Sequence, residues 1–380
     1  IMAIPDQSLQ LHSNVRSNGT LQLSLSEVAT PQPGEKDVLI EVAGSPINPS
    51  DLGMLFGPAD ITTAREESVD GRPAIVADVP EKLMRTVAGR VDQALSPGNE
   101  GAGVVVAAGS APEAQALIGR TVAILGGAMY SQYRVAPAKH CLVLNEGTTP
   151  AQAASCFVNP LTALGMVETM RMEGHSALIH TAAASNLGQM LVKICQDDGV
   201  ELVNIVRKPE QVTLLKALGA THVCNSSDDD FMDRLTDALA ETGATLGFDA
   251  TGGGELASQI LSCMEAAQAR RAQGFDRYGS TTHKQVYIYG GLDRNVTTLT
   301  RNYGMYWGVG GWLVMPVLKK LGPKRAAELQ ARVVNEIKTT FASHITDELS
   351  LLEAIDPANI TRYFPKKTGE KHLIKPQKGL

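Results

Sequence analysis

From Ser176 onward the chain alternates short apolar runs with helical ones, and few architectures accept that pattern. SALIHTA reads as a strand and LGQMLVKICQDDG as a helix closed by Gly199. ELVNIVR, THVCN, TLGFDATG and KQVYIYGG read as further strands. PEQVTLLKALGA, DDFMDRLTDALAETG and GELASQILSCMEAAQARR read as the helices between them. Strand and helix alternating over this length predict a doubly wound parallel sheet, because parallel neighbours need a crossover and a helix supplies it.

Such a sheet binds ligands beyond the carboxyl ends of its strands. At the first of those ends lies HTAAASNLG, His180 to Gly188, between a strand and a helix. Phosphate-binding loops in this position use glycines for a tight turn and close backbone approach. Here the small positions are Ala182, Ser185 and Gly188. The Ser185 hydroxyl can donate to a phosphate oxygen beside the amides of the helix start, and Asn186 tolerates left-handed geometry. His180 is expected to be a satisfied core residue. Arg207 stands 19 residues beyond Gly188, followed by Lys208, where a ribose-binding carboxylate is usual. A basic pair at a strand tip suits a 2′-phosphate; two solvated surface charges are the alternative. Two more glycine turns, FDATGGG with Thr251 and Gly252 and YIYGGLD with Tyr289, Gly290 and Gly291, end later strands and are expected to line the ribose and nicotinamide.

Upstream, residues 1 to about 155 read as mostly β, with DVLIEVAG, GAGVVVAAG, RTVAILGG and HCLVLN separated by Pro and Gly turns. Residues 61–96 read as a surface excursion or a helical insertion. TPAQAASCFVNPLTALGMVETM has helical periodicity, with Thr149 and Pro150 as cap and first turn. The tail has two helical segments after about Lys319, and GEKHLIKP reads as a strand returning to the first domain.

At 380 residues the chain can build two cores, and its net charge of −6 gives no support to a nucleic-acid partner. Five scattered cysteines, with no C-x-x-C pair, fit free core thiols in a reducing compartment. No secretory signal pattern opens the sequence. The uncharged run NYGMYWGVGGWLVMPVL is too short and too rich in glycine to span a membrane, so none is expected to be crossed. Its Tyr303, Met305 and Trp307 are candidates for an apolar substrate wall, with Trp312 read as interface core. Tyr130 is a second wall candidate. RRAQGFDRYGSTTHK reads as an added, solvated surface loop.

Several segments in order, INPSDLGMLFG, GNEGAGVVVAAGS, VNPLTALGM, LKALGATHV and FDATGGG, resemble the medium-chain dehydrogenase/reductase superfamily. Within it the chain looks like the zinc-free NADPH:quinone oxidoreductases and 2-enoyl thioester reductases. The resemblance implies an α/β fold: a GroES-like β-rich catalytic domain, 1–155 plus 315–380, around an inserted Rossmann domain, 156–314. It also implies a homodimer; with the Arg207–Lys208 pair the expected cofactor is NADPH, and the free thiols make a cytoplasmic location the expectation. Cofactor contacts are implied for Asn159, Thr162, Ala184, Ser185, Asn186, Leu187, Gly188, Arg207, Lys208, Asn225, Thr251, Gly252, Tyr289, Gly290, Gly291 and Lys371. Asn48 and Tyr130 are the catalytic candidates, Asn48 through an amide that polarises a carbonyl or positions the nicotinamide. Zinc-containing relatives carry Cys where Asn48 stands and His-Glu where Asn99 and Glu100 stand, so no metal is expected. The tyrosines of the two zinc-free groups have no match; Gly53 and Ala59 occupy their places. The expected activity is hydride transfer to a quinone or activated enone, an apolar small-molecule acceptor. Enoyl thioester reduction and non-catalytic NADPH binding are the alternatives.

Overall fold

The computed structural model describes residues 3–379. They form two compact units, one from the residues up to Val158 together with those from Arg332 on, the other Asn159–Ala331.

The first unit is β-rich. Gln7–Arg16, Thr20–Ala29, Arg72–Asp78 and Asp60–Val69 form a four-stranded antiparallel sheet in that order. A seven-stranded sheet contains Asp37–Pro46 at its centre, flanked by Glu100–Ala108 and by the late strand His372–Ile374. The tail therefore does return to the first domain, as GEKHLIKP predicts. Its core packs Leu11, Leu23, Leu55, Phe56 and Ile75 against Leu351, Ile360 and Tyr363 from the far end of the chain.

Residues 61–96 differ from expectation. They hold most of a β-hairpin, Asp60–Val69 with Arg72–Asp78, followed by the short helix Glu81–Met84 and a tight helical turn, Arg85–Arg90. Asp60–Val69 is an edge strand, largely exposed, and edge strands carry charges that block further pairing. Those charges hid its β character. The single helix expected after Thr149 is two: Pro150–Ala153, capped by a Thr149–Gln152 box, and Val158–Met172.

In the second unit six strands are all parallel, in the order His222–Asn225, Glu201–Val206, Ala177–His180, Leu246–Asp249, Lys284–Ile288, Trp307–Gly311. The chain steps outward from Ala177–His180 and then returns to its other side, so the order reverses there. That reversal opens a crevice at the carboxyl ends of Ala177–His180 and Leu246–Asp249. The helices Phe231–Thr242 and Leu256–Arg271 cover one face through Ile179, Val203, Ile205 and Val286, all buried. Alternation along the strands sends Leu178, His180, Leu246 and Phe248 to the other face. Trp307–Gly311 was not expected as a strand; three glycines in five residues give it low β propensity, and pairing with Lys284–Ile288 imposes the conformation. The boundary expected at 315 also moves, to 332. Val314–Leu321 and the start of Pro323–Asn335 stand with the second unit, where Arg325 binds Glu168 at 2.6 Å.

Candidate functional site

The loop after Ala177–His180 is a helix start built without a glycine at its tightest turn. Ser185 caps the helix Asn186–Asp198, its Oγ accepting the Gly188 amide at 3.1 Å. The Leu187 amide lies in the first turn, where amides have no intrahelical acceptor and the helix dipole favours an anion. Gly188 is required: a Cβ there would meet the Ala183 carbonyl oxygen at 2.1 Å. The left-handed residue is Ala182, at φ 49°, rather than Asn186, which is helical. An L-residue in that region costs about 1 kcal/mol. The Ala183 amide crosses to the Ile205 carbonyl and the Ala184 carbonyl accepts Gln189 Nε2, which fix the loop against the next strand and its own helix.

A buried carboxylate joins this loop to the next turn. Asp249 accepts Thr181 Oγ1 at 2.7 Å, the Thr251 amide at 2.9 Å and the Gly252 amide at 3.0 Å. Its carbonyl accepts the Tyr289 amide, and the Ala250 carbonyl accepts Leu292. Gly252, at φ 79°, lies so close to Gly290 that a Cβ would stand 2.8 Å from the Gly290 carbonyl. Gly291 is open to solvent. Thr251, Gly252, Tyr289 and Gly290 are thus one backbone platform, and Thr181 and Asp249 organise it. Both were missed by sequence reasoning, although an Asp ahead of a T-G-G turn is a side-chain-to-backbone cap in waiting.

His180 is fully buried, with Nε2 2.6 Å from the Tyr289 hydroxyl and Nδ1 unpartnered. Burial drives its pKa down to about 3, so the ring is neutral. Burial also raises the Tyr289 phenol, which makes Tyr289 a poor acid. Trp312 closes this aromatic corner, edge-on to Tyr289 and Phe248, its Nε1 donating to Thr169 Oγ1 at 3.1 Å.

Arg207 and Lys208 follow Glu201–Val206 and are exposed. Arg207 binds its neighbours through its backbone only, the amide to Gln211 Oε1 and the carbonyl to Ser227 Oγ, so its guanidinium has no ion pair among the described residues. Asn225 ends the adjacent strand; its amide group is engaged locally, with Ser227 N and Asp228 Oδ1. A helix start and a guanidinium at the ends of two adjacent strands are a donor set that fits a pyrophosphate with a further phosphate. Asn159 and Thr162 lie one turn apart on Val158–Met172, both buried.

The expected substrate wall is corrected. Trp307 pairs with Lys284 at the amino end of the sheet, opposite the loop. Tyr303 is fully buried against Trp307 and the helix-covered face, and Met305 is 77% exposed. Ligands of such sheets gather at the carboxyl ends. Of this aromatic segment it is Trp312 that lies there.

The first unit holds a separate buried polar cluster. Asn48 caps the helix Pro49–Leu55, its amide nitrogen donating to Asp51 Oδ2. Its side chain is engaged at both ends: Nδ2 donates to Glu100 Oε1 at 2.8 Å, and Oδ1 accepts Lys371 Nζ at 2.6 Å. Glu100 Oε2 accepts the Phe157 and Val158 amides, and Asp51 Oδ1 accepts the Asn99 amide. Burial raises the Glu100 carboxyl and lowers the Lys371 ammonium, with their mutual attraction opposing both; Asp51 rises to about 6, chiefly through burial. Asn48 is therefore an interior bridge, a correction to the expectation of an amide that polarises a substrate. Tyr130 is likewise core, fully buried, its hydroxyl donating to the Pro46 carbonyl. Lys371 is a member of this cluster, its Nζ on Asn48 Oδ1. The residues do not fit zinc: an ammonium sits among them, the amide is neutral, and no group of three His, Cys, Asp or Glu side chains assembles among the described residues.

Comparison with known proteins agrees with the fold. Residues 187–270 match the family model described as zinc-binding dehydrogenase. A solved structure from Mesorhizobium loti, a candidate NADPH:quinone reductase, superposes with a TM-score of 0.73 at 26% identity, covering 99% of this chain and 100% of that one. The mitochondrial enoyl-[acyl-carrier-protein] reductase of Caenorhabditis elegans is 26% identical over 251 residues, 64% of each chain. The NADPH quinone oxidoreductase of Kluyveromyces marxianus is 26% identical over 213 residues, 53% of this chain and 51% of its own. The matched regions thus span less than two thirds of these two relatives' own lengths. With its discontinuous β-rich unit, its inserted parallel sheet of reversing order and these likenesses, the chain is similar to the medium-chain dehydrogenase/reductase superfamily.

Proposed function

We propose that this protein is an NADPH-dependent oxidoreductase that delivers hydride to a quinone or activated enone without a metal. The observation that carries the reading is the Arg207 guanidinium, without an ion pair among the described residues, at the end of the strand adjacent to the one that leads into the Ser185-capped helix. Ser185 and the first-turn amides would hold the pyrophosphate, Arg207 and Lys208 the 2′-phosphate. Thr251, Gly252, Gly290 and Gly291 would let the ring end approach backbone, beside Tyr289. Bound there, the dihydronicotinamide is a hydride source. Asn159 and Thr162 complete the proposed cofactor contacts.

At the positions named above, no phenol is poised to donate a proton. Gly53 and Ala59 have none, Tyr130 is core, and Tyr289 is held by His180 with its acidity suppressed. A quinone accepts two electrons and one proton from the hydride, and water protonates the remaining oxygen. Protonating an enolate carbon in an enoyl thioester has a greater need for a positioned acid. That difference favours quinones, while the likeness to enoyl reductases supports the second reading.

Among the described residues no helix is long and apolar enough to cross a membrane. A cytoplasmic homodimer is part of the proposal. Trp307–Gly311 is an edge strand with one side unpaired, and a second copy can pair there. The deciding experiment follows NADPH oxidation with 9,10-phenanthrenequinone and with crotonyl-CoA. Turnover with the quinone well above that with the thioester is expected. Turnover with crotonyl-CoA alone would establish the second reading, and NADPH binding without turnover of either would make the protein a non-catalytic binder.

A further inference from the structure

We propose that the Lys371 ammonium is the resident cation of the β-rich unit: it takes the place a divalent metal would need and fixes the Glu100 carboxylate through the Asn48 amide. The cluster is closed. Asn48, Glu100 and Asp51 are all at most 2% exposed, and Lys371 is buried with them. Glu100 receives three donors, Asn48 Nδ2 and the Phe157 and Val158 amides, and offers none. With both oxygens accepting and none of these contacts taking a carboxyl proton, the geometry favours the ionised carboxylate. A buried anion needs a cation near it. Among the described residues no ion pair serves Glu100; the positive charge arrives one residue away, Nζ of Lys371 on Oδ1 of the same amide whose Nδ2 holds Glu100. The amide dipole is aligned between the two charges, with oxygen to the cation and nitrogen to the anion.

The consequence is mechanical. Glu100 caps the start of Val158–Met172, the helix that carries Asn159 and Thr162. Lys371 comes from the strand-bearing tail and Asn48 from the end of Asp37–Pro46, so three distant segments meet at one charge relay. A metal would have to displace the ammonium and find ligands among a neutral amide and two carboxylates already filled by amides. The family model described as zinc-binding covers 187–270 and includes none of these residues. The inference does not depend on the cofactor or acceptor proposed above.

The test is a double-mutant cycle read by thermal unfolding, with metal content measured on the wild type. Lys371→Met keeps the side-chain length and removes the charge; Glu100→Gln removes the anion. Lys371→Met alone should lower Tm on the order of 10 °C, and less in the Glu100→Gln background, because Glu100 is then no longer a stranded charge and only Asp51 still feels the loss. Equal losses in both backgrounds would overturn the relay and leave Lys371 a packing residue. So would one zinc per chain in wild type incubated with Zn²⁺ and desalted. Should Lys371→Met fail to fold, Lys371→Ala is melted with n-propylammonium or n-propanol. Recovery with the amine only supports the relay; equal recovery with both, or none, overturns it.

Discussion

Ala182 and His180 show how much of the candidate site rests on single residues in costly states. Ala182 takes a left-handed turn that glycine would take freely, and His180 is fully buried with one ring nitrogen unpartnered. The second has a measurable consequence. The His180 pKa is lowered from 6.5 to about 3, so the folded state refuses a proton that the unfolded chain accepts. Its contribution is fully present above about pH 6.5 and is lost as pH falls toward 3, a change on the order of 4 kcal/mol. His180→Gln, which keeps a neutral partner for Tyr289, should flatten this dependence. Urea midpoints of both proteins near pH 7 and near pH 4 check it: wild type should lose more on acidification, and parallel losses would contradict the buried neutral ring. At this scale the sequence was legible where function uses local chemistry, as at Ser185 and Gly188. It was not legible for Asn48, whose role depends on a lysine 323 residues away.

At the scale of elements, the strand-loop-helix unit follows directly from periodicity and small residues, and Asp60–Val69 and Trp307–Gly311 do not. The first is an edge strand whose charges mimic a loop; the second is a glycine-rich strand made by its neighbour. Misplacing the second put the aromatic wall at the wrong end of the sheet. The loop unit itself is tightly constrained, since a Cβ at residue 188 would collide with the Ala183 carbonyl. Gly188→Ala must push the loop off its helix. NADPH affinity should fall at least about tenfold, roughly the 1.4 kcal/mol of one decade, with a modest loss of Tm. An unchanged dissociation constant from fluorescence titration would mean that the loop does not hold the cofactor.

At the scale of the whole molecule, the reversal of strand order around Ala177–His180 marks where a dinucleotide can lie, and in the proposed reading the basic strand tip of the adjacent strand selects which one. Alternation alone carried the inserted sheet. The discontinuous β-rich unit was legible in outline only, because a short strand such as His372–Ile374 acquires meaning when it pairs with Asp37–Pro46. The cofactor proposal is the central claim, and its most direct test is one titration series: dissociation constants of NADPH and NADH for wild type and for Arg207→Ala. The account predicts that wild type prefers NADPH by at least about tenfold, and that Arg207→Ala loses most of that preference with little change for NADH, a difference of 1–3 kcal/mol, typical of a charge-assisted bond. Equal affinities in wild type, or an equal fall for both nucleotides in the variant, would contradict it.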